Sequence, residues 1–344
     1  MNTFPFIMLA ILSGFLNGSY AVPIKLTQKW SWENIWLWFA IYGLLLVPWI
    51  FALVFVPDIG KVLADSSTGS TCITFLCGLG WGIGSVAFVL ALHVIGFSLG
   101  YTLMMGLIAV IGALVPLLVN NPSALFTKGG IFILIALIVA IVGIILCGAA
   151  GKIREEKNFN QNGQQINDKS KIKKGLFLCV ISGFFSPMIN FAFEFGAPLK
   201  NSALKQLGND SNIFYATSVI WAVALSGGFI AFLFYSSYLL AKNKTISNFS
   251  LKGTHSYFFW TFLMGITFYS SLLCYGLAAS GLGDAGTTTG WIIFTAGAII
   301  IANFWGIITS EWKGVPKRGI RKMVLGSILL ISTVFLVSYG NSLL

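Results

Sequence analysis

The residues best placed to do chemistry in this chain are uncharged polar and aromatic side chains set inside apolar stretches. They are Asn17, Ser19 and Tyr20; Trp81 and Ser85; Tyr101; Ser186 and Asn190; Tyr269; and Trp291 and Asn303. Amides and hydroxyls can replace water around the hydroxyl groups of a monosaccharide, and an aromatic face can cover its C–H side. The set therefore suits recognition of a sugar better than covalent chemistry. Asn17, Tyr20, Trp81, Tyr101, Asn190, Tyr269, Trp291 and Asn303 are the candidate substrate contacts. For each, the competing reading is a hydrogen bond between helices, worth only about 0.6–2 kcal/mol in a membrane.

Ionisable groups in the apolar stretches are few, and each is costly, at least about 2.5–3.5 kcal/mol near a bilayer centre. Glu194 is the only acidic residue that the sequence places inside a span. A carboxyl group there could load and release a proton as its surroundings change. It lies about 20 residues beyond Lys174, or about 30 Å of helix. That distance leaves open an interfacial position or a partnership with Lys200. His93 is a second proton-coupling candidate, with an interfacial anchor as the alternative. Asp284 is expected to cap the helix that follows it, and Glu311, among basic residues, to form an ion pair.

Nothing points to catalysis or to a resident cofactor. Phosphate-binding loops, H-E-x-x-H pairs and nucleophile-elbow patterns are missing from the sequence. The five cysteines, Cys72, Cys77, Cys147, Cys179 and Cys274, form no C-x-x-C pair and read as small buried apolar residues, with no metal expected.

The elements that must position these residues are apolar segments. Hydrophobic residues make up 57% of the 344 and charged ones 9%, and the mean hydropathy is +0.87. Too little polar surface remains for a water-soluble globule, so a lipid bilayer is the solvent. Ten stretches are long enough to cross it, at about 4–24, 35–57, 72–92, 97–119, 130–150, 175–198, 212–240, 256–279, 287–309 and 322–343. Backbone amides in hydrocarbon must be satisfied within a segment or in a closed barrel, and barrel strands would alternate apolar with polar. Runs such as Ile131 to Cys147 do not alternate. The expected fold class is an all-α integral membrane protein.

The net charge of +11 is a matter of topology and lipid contact, not of nucleic acid. Loops after spans 1, 3, 5, 7 and 9 carry 17 of the 21 lysines and arginines, and the other side holds only Lys61, Lys128, Lys200 and Lys205. The positive-inside rule makes the rich side cytoplasmic and puts both termini outside. No basic region precedes span 1, which is therefore expected to be retained.

The polar segment 151–174, with its run Asn158 to Gln165, reads as a flexible cytoplasmic connection between a half at 1–150 and a half at 175–344. Each half holds five spans, so the second begins on the opposite face, the geometry of two inverted five-helix repeats. Leu12-Ser13-Gly14-Phe15 is matched by Ile181-Ser182-Gly183-Phe184, and Val22-Pro23-Ile24-Lys25 by Ala197-Pro198-Leu199-Lys200. Asn17 and Asn190 occupy roughly corresponding places. Ser186-Pro187 breaks the ladder of span 6, with Pro23 and Pro198 near span ends, so spans 1 and 6 are expected to line a path or to move. Gly78, Gly80, Gly82 and Gly84, and Gly96 with Gly100, lie at the four-residue spacing of close helix packing. Trp30, Trp32, Trp36 and Trp38 read as an interfacial belt first and as sugar-stacking residues second.

An ordered set of short pieces adds a resemblance over nearly the whole chain. Lys29-Trp30-Ser31-Trp32-Glu33 with Pro48-Trp49, Trp81-Gly82-Ile83-Gly84, Ser98-Leu99-Gly100, Lys173-Lys174-Gly175-Leu176, Gly183 with Phe185-Ser186, and Glu311-Trp312 resemble the L-rhamnose/proton symporter family. The resemblance implies a ten-helix member of the drug/metabolite transporter superfamily in a bacterial inner membrane, importing a deoxysugar or related monosaccharide with a proton. The chain departs from the family at Glu194, where better-known members carry an amide, and over Gly281 to Thr289. Three functions remain in view: proton-coupled import of a monosaccharide, with a sodium ion not excluded as the coupling ion; export or exchange of another small metabolite on the same fold; and a membrane enzyme or sensor, which no motif supports.

Overall fold

The computed structural model describes residues 3–95, 97–159, 169–208 and 212–344, and every element among them is helical. Among the described residues, ten helices are long and apolar enough to cross a membrane. Spans 1 to 5 are Phe4–Leu26, Trp32–Phe55, Thr68–Val94, Gly100–Val119 and Lys128–Glu156. Spans 6 to 10 are Lys173–Leu207, Ile213–Asn243, His255–Gly281, Gly286–Ile308 and Lys317–Ser342. Large apolar side chains such as Leu53, Val54, Ile138, Phe234 and Phe335 face outward. A surface of that kind suits hydrocarbon.

Several span ends differ from those expected, each for a local reason. Span 2 starts early because Ser31 and Asn34 form a reciprocal capping box ahead of the tryptophans. That start draws Glu33 into the first turn, where it is buried and accepts hydrogen bonds from Asn243 Nδ2 (3.0 Å) and Thr245 Oγ1 (2.6 Å). Glu194 is thus not the only carboxylate inside a span. The helix of span 5 continues past Gly151 to Phe159, and the rest of the run that begins at Asn158 lies outside the described residues until Lys169. Gly96 also lies outside them.

Span 6 is three helices in series, Lys169–Phe185, Met188–Phe195 and Ala197–Leu207. Pro187 and Pro198 lack the N–H that would carry the ladder across the two breaks. Span 1 is interrupted in the same way, passing from α-helix at Ser19 to a 3₁₀ turn at Val22–Leu26 that contains Pro23. In span 2 the ladder widens to a π-helix over Ala40–Leu46, just before Pro48.

The glycines expected to pack closely do so on two faces of span 3. A Cβ on Gly78 would stand 1.7 Å from the Ala224 carbonyl oxygen of span 7, and one on Gly84 would stand 2.5 Å from the Ser186 nitrogen at the span 6 break. Span 3 is therefore wedged between spans 6 and 7. The halves interlock symmetrically: span 1 packs on spans 8 and 9, span 6 packs on spans 3 and 4, and spans 5 and 10 pack on each other.

Ends of spans 1, 5, 7 and 9 meet at one face, the linker face. Glu311 takes Arg154 at 2.7 Å and Lys25 in a second ion pair, with the Arg154 guanidinium 5.2 Å from the centre of the Trp312 ring. Glu311 thus forms the expected ion pair, twice over. At the same face Trp30 Nε1 and Asn34 Nδ2 donate to the Asn248 and Thr245 carbonyls. At the far face Ser70 donates to the Phe195 carbonyl (2.7 Å), and Asn341 to that of Leu282 (3.1 Å).

Candidate functional site

A cavity of about 340 Å³ lies between the halves and is walled largely by aromatic rings. Its volume is within the range of small-molecule sites, about 300–1,000 Å³. Span 1 supplies Asn17 and Tyr20, span 3 supplies Trp81 and Ser85, span 6 supplies Ser186, and span 9 supplies Trp291 and Thr295. The breaks explain part of this placement. Tyr20 sits where span 1 leaves α-helical geometry, and Ser186 sits at the first break of span 6.

The aromatic walls are ordered by stacking. Trp81 lies nearly parallel to Phe268, with centroids 5.6 Å apart at 16°, and Trp36 lies over Phe232 at 5.8 Å and 23°. Trp32 stacks on Trp36 at 5.7 Å, and Trp291 on Phe294 at 5.5 Å. Polar atoms are sparse but convergent. Asn17 Nδ2 stands 3.5 Å from Ser271 Oγ, Ser186 Oγ is 3.3 Å from Ser182 Oγ, and Trp291 Nε1 donates to the Ile108 carbonyl at 3.1 Å. A flat ring face with a few amide and hydroxyl groups is the arrangement that a sugar's apolar and polar sides require.

Of the eight expected substrate contacts, Asn17, Tyr20, Trp81 and Trp291 line this cavity and the other four do not. Tyr101 stands one layer back, edge-on to Phe88 at 6.2 Å. Asn303 donates to Cys147 Sγ at 3.4 Å, bridging spans 9 and 5. Tyr269 is buried against Phe51 of span 2. Asn190 is fully buried; its Nδ2 donates to the Gly112 carbonyl at 2.8 Å and its Oδ1 accepts from the Tyr275 hydroxyl.

Trp32 and Trp36 line the cavity, though their sequence pattern reads first as a belt; so do Phe39, Phe232 and Phe268. The four-residue spacing of Trp32, Trp36 and Ala40 does place both rings on one helix face. That was the available signal.

A second cavity, of about 450 Å³, opens near the far face and is polar. Glu194, Lys200, Asp284 and Thr287 line it, so the carboxylate of Glu194 stands beyond the central cavity and not in it. Asp284 does not cap span 9. Gly283, at φ 80°, turns the chain sharply, and Ala285 takes the capping position without a side-chain bond. His93 is exposed at the end of span 3, apart from both cavities. Among the described residues, no three His, Cys, Asp or Glu side chains converge as metal ligands would.

The family model described as L-rhamnose-proton symport protein (RhaT) matches residues 6–342. The chain belongs to the L-rhamnose-proton symport family. Relatives named L-rhamnose-proton symporter include one from Klebsiella pneumoniae, 26% identical over 328 residues, with 93% of each chain covered. One from Yersinia pestis is 26% identical over 331 residues, also with 93% of each covered. A third, from Citrobacter koseri, matches at 26% over 328 residues with the same coverage. The match is end to end, so family membership extends over both halves, both cavities and all ten spans. A multi-pass membrane transporter, not an enzyme, is what the family comprises.

Proposed function

We propose that this chain imports a monosaccharide, L-rhamnose or a related deoxysugar, together with a proton across a bacterial inner membrane. The observation that carries this reading is the aromatic central cavity, built from both halves and joined by the Asn17 amide and the Ser85 and Ser186 hydroxyls. A deoxysugar has a methyl group as well as hydroxyls, and mixed walls of this kind accommodate both. Trp81, Trp291 and Tyr20 cover the apolar side, and Asn17 takes hydroxyl groups.

The coupling residue in this reading is Glu194. It occupies the far cavity, reached from the face opposite the basic loops, which by the positive-inside rule is the exterior. There the carboxylate meets the more acidic compartment, takes a proton and loses its charge. An uncharged side chain crosses into a closed, drier surrounding at lower cost than a carboxylate. His93 is the second candidate, accessible at the linker face. The symmetric interlock of spans 1 and 6 supports an inverted-repeat arrangement of 1–150 and 175–344, which would supply alternating access, with the connection at 151–174 cytoplasmic and both termini outside.

The test is Glu194→Gln in right-side-out vesicles. Sugar exchange at equilibrium should persist, because the amide is nearly isosteric, while accumulation driven by an imposed pH gradient disappears. Accumulation equal to the parent's removes Glu194 from the coupling step, and accumulation driven by a sodium gradient instead replaces the ion.

A further inference from the structure

Two cavities in series, separated by a thin barrier, imply more than one binding place on the path. Ser186, Asn190 and Glu194 follow one another at four-residue steps on span 6, each step about 6 Å of helix. Ser186 lines the central cavity, Asn190 is buried between, and Glu194 lines the far cavity. Span 9 repeats the order across from it, with Thr287 in the far cavity and Trp291 in the central one. Between the chambers the Tyr275 hydroxyl donates to Asn190 Oδ1 and lies 3.2 Å from the Thr287 carbonyl.

The two chambers differ in chemistry. Rings dominate the central one, whereas Asn121, Glu194, Lys200, Ser280 and Asp284 line the far one, with Phe193 the one aromatic residue among its described lining. Carboxylates accept from hydroxyl groups and an ammonium group donates to them, in charge-assisted bonds roughly twice as strong as neutral ones. Ser280 contributes a buried Oγ that makes no hydrogen bond among the described residues, although a buried hydroxyl ordinarily has a partner. At about 450 Å³ the chamber is no smaller than the central cavity.

We propose that the far cavity is a second monosaccharide site, an entry site that captures the sugar by its hydroxyl groups through Lys200, Asp284 and Ser280 before the Asn190–Tyr275 barrier opens. The proposal rests on the sugar-import reading and adds a site to it. The far cavity captures by charge-assisted bonding, and the central cavity then selects by stacking.

The experiment uses L-rhamnose as the probe with the full chain in right-side-out vesicles. Lys200→Gln and Asp284→Asn should each raise the KM for external sugar about tenfold, the loss of about one charge-assisted bond, and leave the KM for efflux within about twofold. In a second measurement, with the five native cysteines replaced, Ser280→Cys is alkylated by a membrane-impermeant maleimide from outside. L-Rhamnose should slow that reaction in the parent background and equally in Trp81→Ala, whose central cavity is impaired. An unchanged external KM with no protection of Ser280→Cys overturns the entry site. Equal rises in both KM values overturn it too, since they mark a structural role. Absence of L-rhamnose uptake by the parent overturns the import reading itself, and the entry site with it.

Discussion

Tyr275→Phe tests the barrier between the two cavities with the smallest available change. The ring stays packed, with Trp291 at 6.1 Å and Phe294 at 5.4 Å, so the fold should survive. What is lost is one hydroxyl, the donor to Asn190 Oδ1. Leaving a buried acceptor unmatched costs about 1–3 kcal/mol in soluble proteins, while single side-chain hydrogen bonds in membrane bundles reach at most about 1.7 kcal/mol. A cost of about 1–1.7 kcal/mol falls on the state in which this barrier is closed. At about 1.4 kcal/mol per tenfold, the population open to the far face rises roughly five- to twentyfold. Met105 lines the central cavity, so Met105→Cys, with the five native cysteines replaced, reports that opening. In intact cells its labelling by an impermeant thiol reagent should accelerate by the same factor when Tyr275→Phe is added. A labelling rate that stays level, in a protein that still exchanges sugar, refutes the assignment of this hydrogen bond to the closed barrier.

Other perturbations follow from the same coordinates. Trp32→Ala should raise the sugar KM about two- to twelvefold, the worth of one aromatic contact, whereas Trp38→Ala, which packs on Phe258 outside the cavity, should leave KM unchanged; equal effects would restore the belt reading for both. Gly78→Ala drives a Cβ into the Ala224 carbonyl, and Gly106→Ala meets nothing within 4 Å. The first should lower the thermal midpoint in detergent by an amount equivalent to about 1–3 kcal/mol of overpacking, and the second should not. Burial pushes the Glu311 carboxyl up, but its hydrogen bond to Lys25 and the nearby Arg154 outweigh that and hold it below the ordinary 4.5. A lowered folded-state value means a stabilisation present at neutral pH and lost as pH falls through the folded value. The stability gap between the parent and Glu311→Gln should accordingly be constant from pH 7 down to about 5 and shrink below 4.5; a gap that vanishes near pH 6 refutes it.

The sequence by itself determined what is local to a segment. Ten spans follow from run length and hydropathy, because the cost of inserting polar groups in lipid is summed along each segment. The basic linker face follows from counting Lys and Arg between spans, and the breaks in spans 1 and 6 follow from Pro23, Pro187 and Pro198, since a missing N–H acts where it stands. Half of the expected contacts, Asn17, Tyr20, Trp81 and Trp291, were legible as polar or aromatic interruptions of apolar runs. Tertiary structure alone decided which way each helix turns. In water an amphipathic pattern reports the buried face; in lipid the outside is as apolar as the inside, so packing and not hydrophobicity brings helices together. The four-residue spacing sets Trp32 and Trp36 on one face of span 2 and Trp38 on another, but nothing along the span tells which of the two faces reaches the cavity. Only contact with a second span puts Asn190 in the barrier against Tyr275, Glu33 within reach of Asn243 and Thr245, and Glu194 in one cavity with Asp284 and Thr287.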